Sequence, residues 1–442
     1  MGDLLVKGGV IITLDKEQRV LRNHAISVKD GVIEAIAPQS QFDESLYGEV
    51  IDAGERVVTP GWINAHMHFY SSFATGLGKA QPAANFTEIL ENLWWRLDKQ
   101  LTLKDCYYSA LAACVQSIRH GTTTIIDHHA SPGAIKGSLQ AIAGAVRDSR
   151  LRASLCYEVS DRDGPEKARE GLEENADFIK AIGEEGDDQL KAHFGLHASF
   201  TLSHETLKTA GEMARDLKTG CHIHVAEDLA DQEHCLQNHG KRVVQRLDDL
   251  GILGPQTIAA HCIHVDEGEM KILADTGTIV THQPQSNLNN AVGVMNMPAF
   301  LNADILTGLG TDAMTSNMLE ELRSTIWIRK WTDRNPSGGF NEAVQLLTRN
   351  NPAIAARFWK LGPGVLAMGR PADILIYDYH PHTPLHSDNM AGHLVFGISQ
   401  ARVNTTVARG ETLMRDGVLT GLDEAAIMAE AQKRATSLWE RF

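Results

Sequence analysis

Asn64-Ala65-His66-Met67-His68 decides the reading of this chain, because two histidines at i and i+2 on a strand leave from the same face. Such a pair is half of a metal site. The stretch that follows accommodates eight strand-plus-helix units of roughly 38 residues each, the size of an ordinary parallel β/α barrel, with His66 and His68 closing its first strand. Three more residues stand where a barrel metal site needs them. His224 lies in Cys221-His222-Ile223-His224-Val225, three residues before Glu227; His261 ends Thr257-Ile258-Ala259-Ala260; Asp312 ends the run Ile305 to Thr311. Each falls at the C-terminal end of a short β-like run, where barrel enzymes build their sites. Imidazoles with one carboxylate suit zinc, and also iron or manganese.

These residues resemble the amidohydrolase superfamily, and within it the aminohydrolase branch of cytosine, guanine and S-adenosylhomocysteine deaminases and triazine hydrolases. The resemblance covers nearly the whole chain. It implies that His66, His68, His224, His261 and Asp312 hold one divalent metal, and that His261 either ligates or orients the attacking water. Asn92 to Asp98 and Asp127 to Pro132 are similar to the SsnA-type aminohydrolases, a subgroup that names no substrate. The expected fold is α/β: a metal-dependent (β/α)8 TIM barrel over residues 59–365, with a small β-sandwich domain formed from both chain ends, 1–58 and 366–442.

The chemistry follows from the ligand set. A metal held by imidazoles and a carboxylate lowers the pKa of water to roughly 7. Asp312 takes the water proton and passes it to the departing nitrogen, so Glu227, His261 and Asp312 form the expected catalytic group. Glu227 belongs to a His-x-x-Glu form similar to the deaminase pattern, and protonating a ring nitrogen requires its pKa to be raised above the ordinary ~4.3. The expected substrate contacts are His197 after the fourth strand, His128 after the second, Arg162 after the third, and Asp98 from the long stretch Phe69 to Thr102. His128 and His129 are adjacent, so only one faces the barrel mouth. His222 faces as His224 does but lies deeper, a packing or supporting position.

The reading is a metal-dependent aminohydrolase that deaminates an amino-substituted purine, pterin, pyrimidine or triazine. A ring-opening cyclic amidohydrolase or a chlorohydrolase on the same scaffold stays open, and a non-catalytic scaffold protein is disfavoured by the full set of ligands. Two-metal relatives bridge their ions with a carboxylated lysine after strand 4; here the nearby lysine is Lys191, roughly 20 Å of extended chain before His197. One metal is therefore expected.

With 41 basic against 56 acidic residues the formal charge is −15, which argues against nucleic acid, since phosphate binding needs clustered Lys and Arg. No signal-peptide pattern and no run of roughly eighteen apolar residues is present, so a cytoplasmic protein with a small-molecule substrate and no membrane partner is expected, and a homo-oligomer is compatible. Six cysteines without Cys-x-x-Cys spacing read as reduced thiols, with Cys262 pointing away from the metal as a small core residue.

Asp30-Gly31 signals a hairpin between two N-terminal strands. Barrel strands are expected to begin near Val57, Thr122, Arg152, Leu190, Gly220, Thr257, Thr278 and Ala303, with helices such as 104–119, 166–182, 204–217 and a final amphipathic helix 423–442. Gln285 to Asn290 reads as a polar turn-forming loop.

Overall fold

The computed structural model describes residues 3–442. Eight parallel passes of extended chain alternate with helices. They run at Trp62–Met67, Thr122–Asp127, Arg152–Leu155, the two-piece fourth pass Leu190–Ala192 and Phe194–Ala198, then Cys221–Val225, Ile258–His261, Ile279–His282 and Thr307–Leu309. The first three and Leu190–Ala192 form one sheet, and Phe194–Ala198 onward forms another. The fourth pass therefore belongs to both. At the other margin an isolated parallel bridge joins Met67 to Asp312, and the amides of Thr311 and Asp312 both donate to the His66 carbonyl, at 2.8 and 3.0 Å.

The helices begin and end on readable signals. Leu103–His120 is opened by a reciprocal cap between Thr102 and Asp105 and closed by Gly121, whose φ of 77° is left-handed and costs glycine little. Its buried side, from Cys106 through Leu111 to Ile118, packs on the helix Ser138–Ser149. The helices at Pro165–Glu185, His204–Asp216 and Glu424–Arg441 lie within three residues of their expected limits. No helix among the described residues is long and apolar enough to cross a membrane.

The chain ends meet in one sheet. Val57–Pro60 pairs antiparallel with Ile374–Tyr377, which places N-terminal and C-terminal strands side by side in a seven-stranded sheet. A separate four-stranded sheet holds Leu4–Lys7, His24–Lys29, Val32–Pro38 and Glu49–Asp52. Leu4, Val6, Ile26 and Ile33 from the second sheet share a buried cluster with Ile11, Ile374 and Ile376 from the first. The Asp30-Gly31 turn has φ of 51° and 79°, the pair of positive values that a two-residue hairpin needs.

Three sequence expectations need correction. The strand begun near Val57 is two strands: Val57–Pro60 joins the terminal sheet, and the first parallel pass starts at Trp62, after Pro60-Gly61 breaks the run. The last strand starts at Thr307, because Ala303 caps the short helix Met297–Asn302. Gln285 to Asn290 is helical, part of Pro284–Asn289, where Pro284 supplies the fixed φ of a first helical turn. Cys262 is buried in the core as expected, although its φ of 49° puts it outside the strand.

Candidate metal centre

The strands deliver their candidate ligands through local irregularities. Between Asn64 and Met67 the first pass slips against its neighbour, a bulge that contains His66. His261 and Asp312 have φ of 71° and 53°, left-handed values that non-glycine residues rarely adopt. Such strain persists only where surrounding contacts fix it, here at the ends of two strands whose side chains must turn toward one point. Gly310 makes the first and last passes fit: a Cβ there would lie 2.7 Å from the His66 carbonyl oxygen and 2.8 Å from its Cβ. Asn351 fastens the same two strands, donating to the carbonyls of Ile63 and Leu309 at 2.7 and 2.9 Å and accepting from the Leu309 amide at 2.8 Å.

His66, His224, His261 and Asp312 each offer a ligand atom, all within 4.8 Å of one another. His68 joins them, with Nε2 2.9 Å from Asp312 Oδ1 and 3.3 Å from His224 Nε2. The outward nitrogens fix the orientation of three rings. Nδ1 of His68 donates to the His128 carbonyl at 2.5 Å, Nδ1 of His224 to the His197 carbonyl at 3.0 Å, and Nδ1 of His261 to Asn287 Oδ1 at 2.8 Å. In the neutral rings of His224 and His261, Nε2 then carries its lone pair inward, the tautomer a metal ligand needs. His66 is held from behind by His222, Nδ1 to Nε2 at 2.8 Å. Nε2 of His66 and of His261 are buried without a hydrogen-bond partner among the described residues. Four converging imidazoles and one carboxylate, two of them otherwise orphaned, fit a single divalent cation.

Electrostatics separate the two carboxyl groups at this point. Burial raises the pKa of Glu227 well above the ordinary carboxylate range, and the nearby charge of Asp312 adds to it. Asp312 is also buried, but its contacts with the His66 and His68 imidazoles outweigh that and hold its carboxylate well below the usual range. Burial lowers His66 to about 3 and also lowers His224 and His261. His68 is pushed down by burial too, yet its contact with Asp312 prevails and holds it up to about 9.

A cavity opens above the cluster. His68, His224, Asp312 and Glu227 line its inner part, with Ser286 and Asn290 from the helix Pro284–Asn289 and its cap. Ser286 donates its hydroxyl to Asp312 Oδ2, and the Asn290 amide donates to Glu227 Oε1 at 3.4 Å. Phe86, Leu90, Trp94 and Trp95 roof it, all from the stretch between the first strand and the helix Leu103–His120, where a π-turn spans Leu90–Trp94.

Of the expected substrate contacts, Asp98 and His197 line this cavity. His197 sits at a bulge where its strand skips a residue against His224, and that bulge turns its ring inward. His128 and Arg162 stand behind the wall, which corrects their expected direct contact. His128 is fully buried, with Nε2 3.1 and 3.0 Å from the carbonyls of Leu196 and His222, and Arg162 is ion-paired with Asp98. His129 faces elsewhere, 3.0 Å from the Ser131 hydroxyl. The sequence reading missed Glu158, a buried cavity-lining carboxylate in Tyr157-Glu158-Val159, and Asn287. No spacing rule marks Glu158; Asn287 lay inside the polar segment Gln285 to Asn290, whose helical form hid its direction.

Residues 57–413 match the model of the amidohydrolase family. The chain is similar to a 5′-deoxyadenosine deaminase of Methanosarcina barkeri, 31% identical over 446 residues that cover 100% of this chain and 99% of that one. A 5-methylthioadenosine/S-adenosylhomocysteine deaminase of Pelotomaculum thermopropionicum is 31% identical over 450 residues, covering 100% of both. Among solved structures, an adenosine deaminase from Xanthomonas campestris with bound zinc superposes with a TM-score of 0.86 at 20% identity, over 99% of this chain and 98% of that one, a likeness of fold. With five ligand-type side chains at strand ends and full-length relatives on both counts, the chain belongs to the amidohydrolase family.

Proposed function

We propose that this protein is a metal-dependent aminohydrolase that releases, as ammonia, the exocyclic amino group of a nitrogen heterocycle, with aminopurines first among the candidates. The observation that carries the reading is one of geometry: Glu227 and Asp312, two buried carboxyl groups, line one cavity at the ligand cluster, with Glu227 Oε2 3.5 Å from His261 Nε2, and their surroundings push their proton affinities in opposite directions. Such a divergence assigns acid and base. The names of the full-length relatives, deaminases of adenosine derivatives, support the same class.

His66, His68, His224, His261 and Asp312 would hold the metal, and the zinc in the Xanthomonas neighbour favours zinc. When bound, a divalent metal supplies a water acidified to roughly neutral pKa. Asp312, ionised and steadied by Ser286, accepts the water proton. Glu227, kept protonated, donates to the ring nitrogen beside the attacked carbon and is held in place by Asn290. Asp98 and His197 contact the remainder of the substrate, with Arg162 fixing Asp98 and His128 standing behind. The aromatic roof of Trp94, Trp95 and Phe86 stacks on a planar ring and excludes water.

The two parallel sheets are read as one closed eight-stranded barrel. Support comes from the fourth pass, which belongs to both, and from the bridge between Met67 and Asp312. The two terminal sheets, sharing one apolar cluster, are read as a sandwich domain built from both chain ends.

The test is ammonia release from aminopurines, pterins, aminopyrimidines and triazines by a coupled assay, with mass spectrometry of the product. One ammonia per substrate with the ring intact is expected. A product that gains water without ammonia would establish ring opening instead.

A further inference from the structure

The cavity over the ligand cluster has a volume of about 50 Å³, against roughly 300–1,000 Å³ for pockets that take small organic ligands. A heterocycle therefore enters only when part of the wall moves aside. The part least tied to the barrel is the roof. Among the described residues, no backbone hydrogen bond joins residues 75–97 to a segment outside 69–102. The inner side of the roof rests on apolar and aromatic contacts. Phe86 and Leu90 pack with Val292, Ile263 and Phe200 from the loops after the seventh, sixth and fourth parallel passes, and Arg162 lies over the Trp95 ring at 5.3 Å.

Among the described residues, two side-chain hydrogen bonds leave residues 75–97 for the rest of the molecule, and both end on one place. Lys79 Nζ donates to the Trp439 carbonyl at 2.7 Å, and Arg96 donates to the Phe442 carbonyl, with its guanidinium carbon 4.2 Å from the centre of the Phe442 ring. The flanks are tied to the same four residues. Trp439 Nε1 donates to the Phe73 carbonyl at 2.7 Å, and Arg441 donates to the Gln100 carbonyl and the Asp105 carboxylate, each at 2.9 Å. Residues 439–442 thus hold both feet of the roof, 73–79 on one side and 96–105 on the other. Behind them the helix Glu424–Arg441 packs on Leu103–His120. The tip, Phe86 to Leu90, has only the non-directional kind of contact with other segments, which separates without stranding a donor or acceptor.

We infer that residues 75–97 are a lid that lifts at its tip to admit substrate, and that Lys79, Arg96, Trp439 and Phe442 are its anchor, holding both feet on the end of the helix Glu424–Arg441. None of the four lines the cavity, so they are positioning residues. The inference goes beyond the aminohydrolase reading and does not depend on it, because it concerns the covering of the cavity and not the bond that is broken.

Peptide-resolved hydrogen exchange on the metal-loaded protein is the test. In the wild type, amides within 86–97 are expected to exchange at least about tenfold faster than those on the buried side of the neighbouring helix, 106–118, since a lid opens without global unfolding. Trp439→Phe, which keeps a ring but removes the N–H, and Arg96→Gln, which removes the guanidinium stack, should each speed exchange across 75–97 by about fivefold or more and leave 106–118 and 221–225 within about twofold. Wild-type exchange as slow in 86–97 as in 106–118 would overturn the lid. Unchanged exchange across 75–97 in both variants, or equal acceleration everywhere, would overturn the anchor. If either variant does not fold, Lys79→Ala, at an exposed position, replaces it under the same criteria. With a compound shown to release ammonia, the variants should raise KM about fivefold and hold kcat within about twofold, because the groups proposed for the chemistry stand on the barrel. A fall in kcat at unchanged KM would count against the anchor. If no compound turns over, the aminohydrolase reading suffers and the exchange data alone judge the lid.

Discussion

Oε2 of Glu227 lies 3.5 Å from Nε2 of His261, so a cavity carboxyl whose pKa is raised by burial touches one of its candidate metal ligands. In the proposed reaction the contact would tie proton delivery to the ligand cluster. Glu227→Gln keeps the shape and the Asn290 hydrogen bond but has no acidic proton. It is expected to retain metal and fold and to lose at least about 10²-fold in kcat. Wild-type turnover in the variant would remove Glu227 from the chemistry.

The raised pKa of Glu227 sets the sign of a pH effect. The acid is competent while protonated, so kcat should hold below that raised pKa and fall as pH climbs through it. A pH–rate profile checks this. An alkaline limb that persists unchanged when Glu227 is replaced would assign it to another group.

About one divalent metal per chain is expected by elemental analysis, removed by chelator together with activity and restored by zinc. His66→Ala and His224→Ala should each lose metal and activity, since each removes one of the converging nitrogens. Two ions per chain would contradict a single centre.

Asn287 orients His261 without lining the cavity, through the 2.8 Å bond from His261 Nδ1. Asn287→Leu removes that acceptor and is expected to weaken metal affinity by roughly 10–100-fold with little effect on folding. A competition titration with a chromophoric chelator measures it; unchanged affinity would show that packing alone aims the ring.

Asn351→Ala tests the seam between the first and last strands. It strands two buried carbonyls and one amide, so a loss of at least about 2 kcal/mol and a lower thermal midpoint are expected. An unshifted midpoint would mean that Asn64, whose side chain also ties Thr311 to the His66 amide, carries the seam.

The sequence by itself determined the candidate ligand types and their positions along the chain, because strand periodicity and chain order are local properties. His66 and His68 share a face by the i, i+2 rule, and His224, His261 and Asp312 each follow a short apolar run. The long helices were legible for the same reason, through apolar spacing and caps such as Thr102 and Gly121. What only the tertiary structure decided is where side chains turn once periodicity breaks. The bulges at His66 and His197, and the left-handed backbone at His261 and Asp312, aim four site residues in directions no local rule gives. The layering of the wall is non-local in the same way. Asp98 and Arg162 are 64 residues apart and meet only in the fold, which puts one on the cavity and the other behind it.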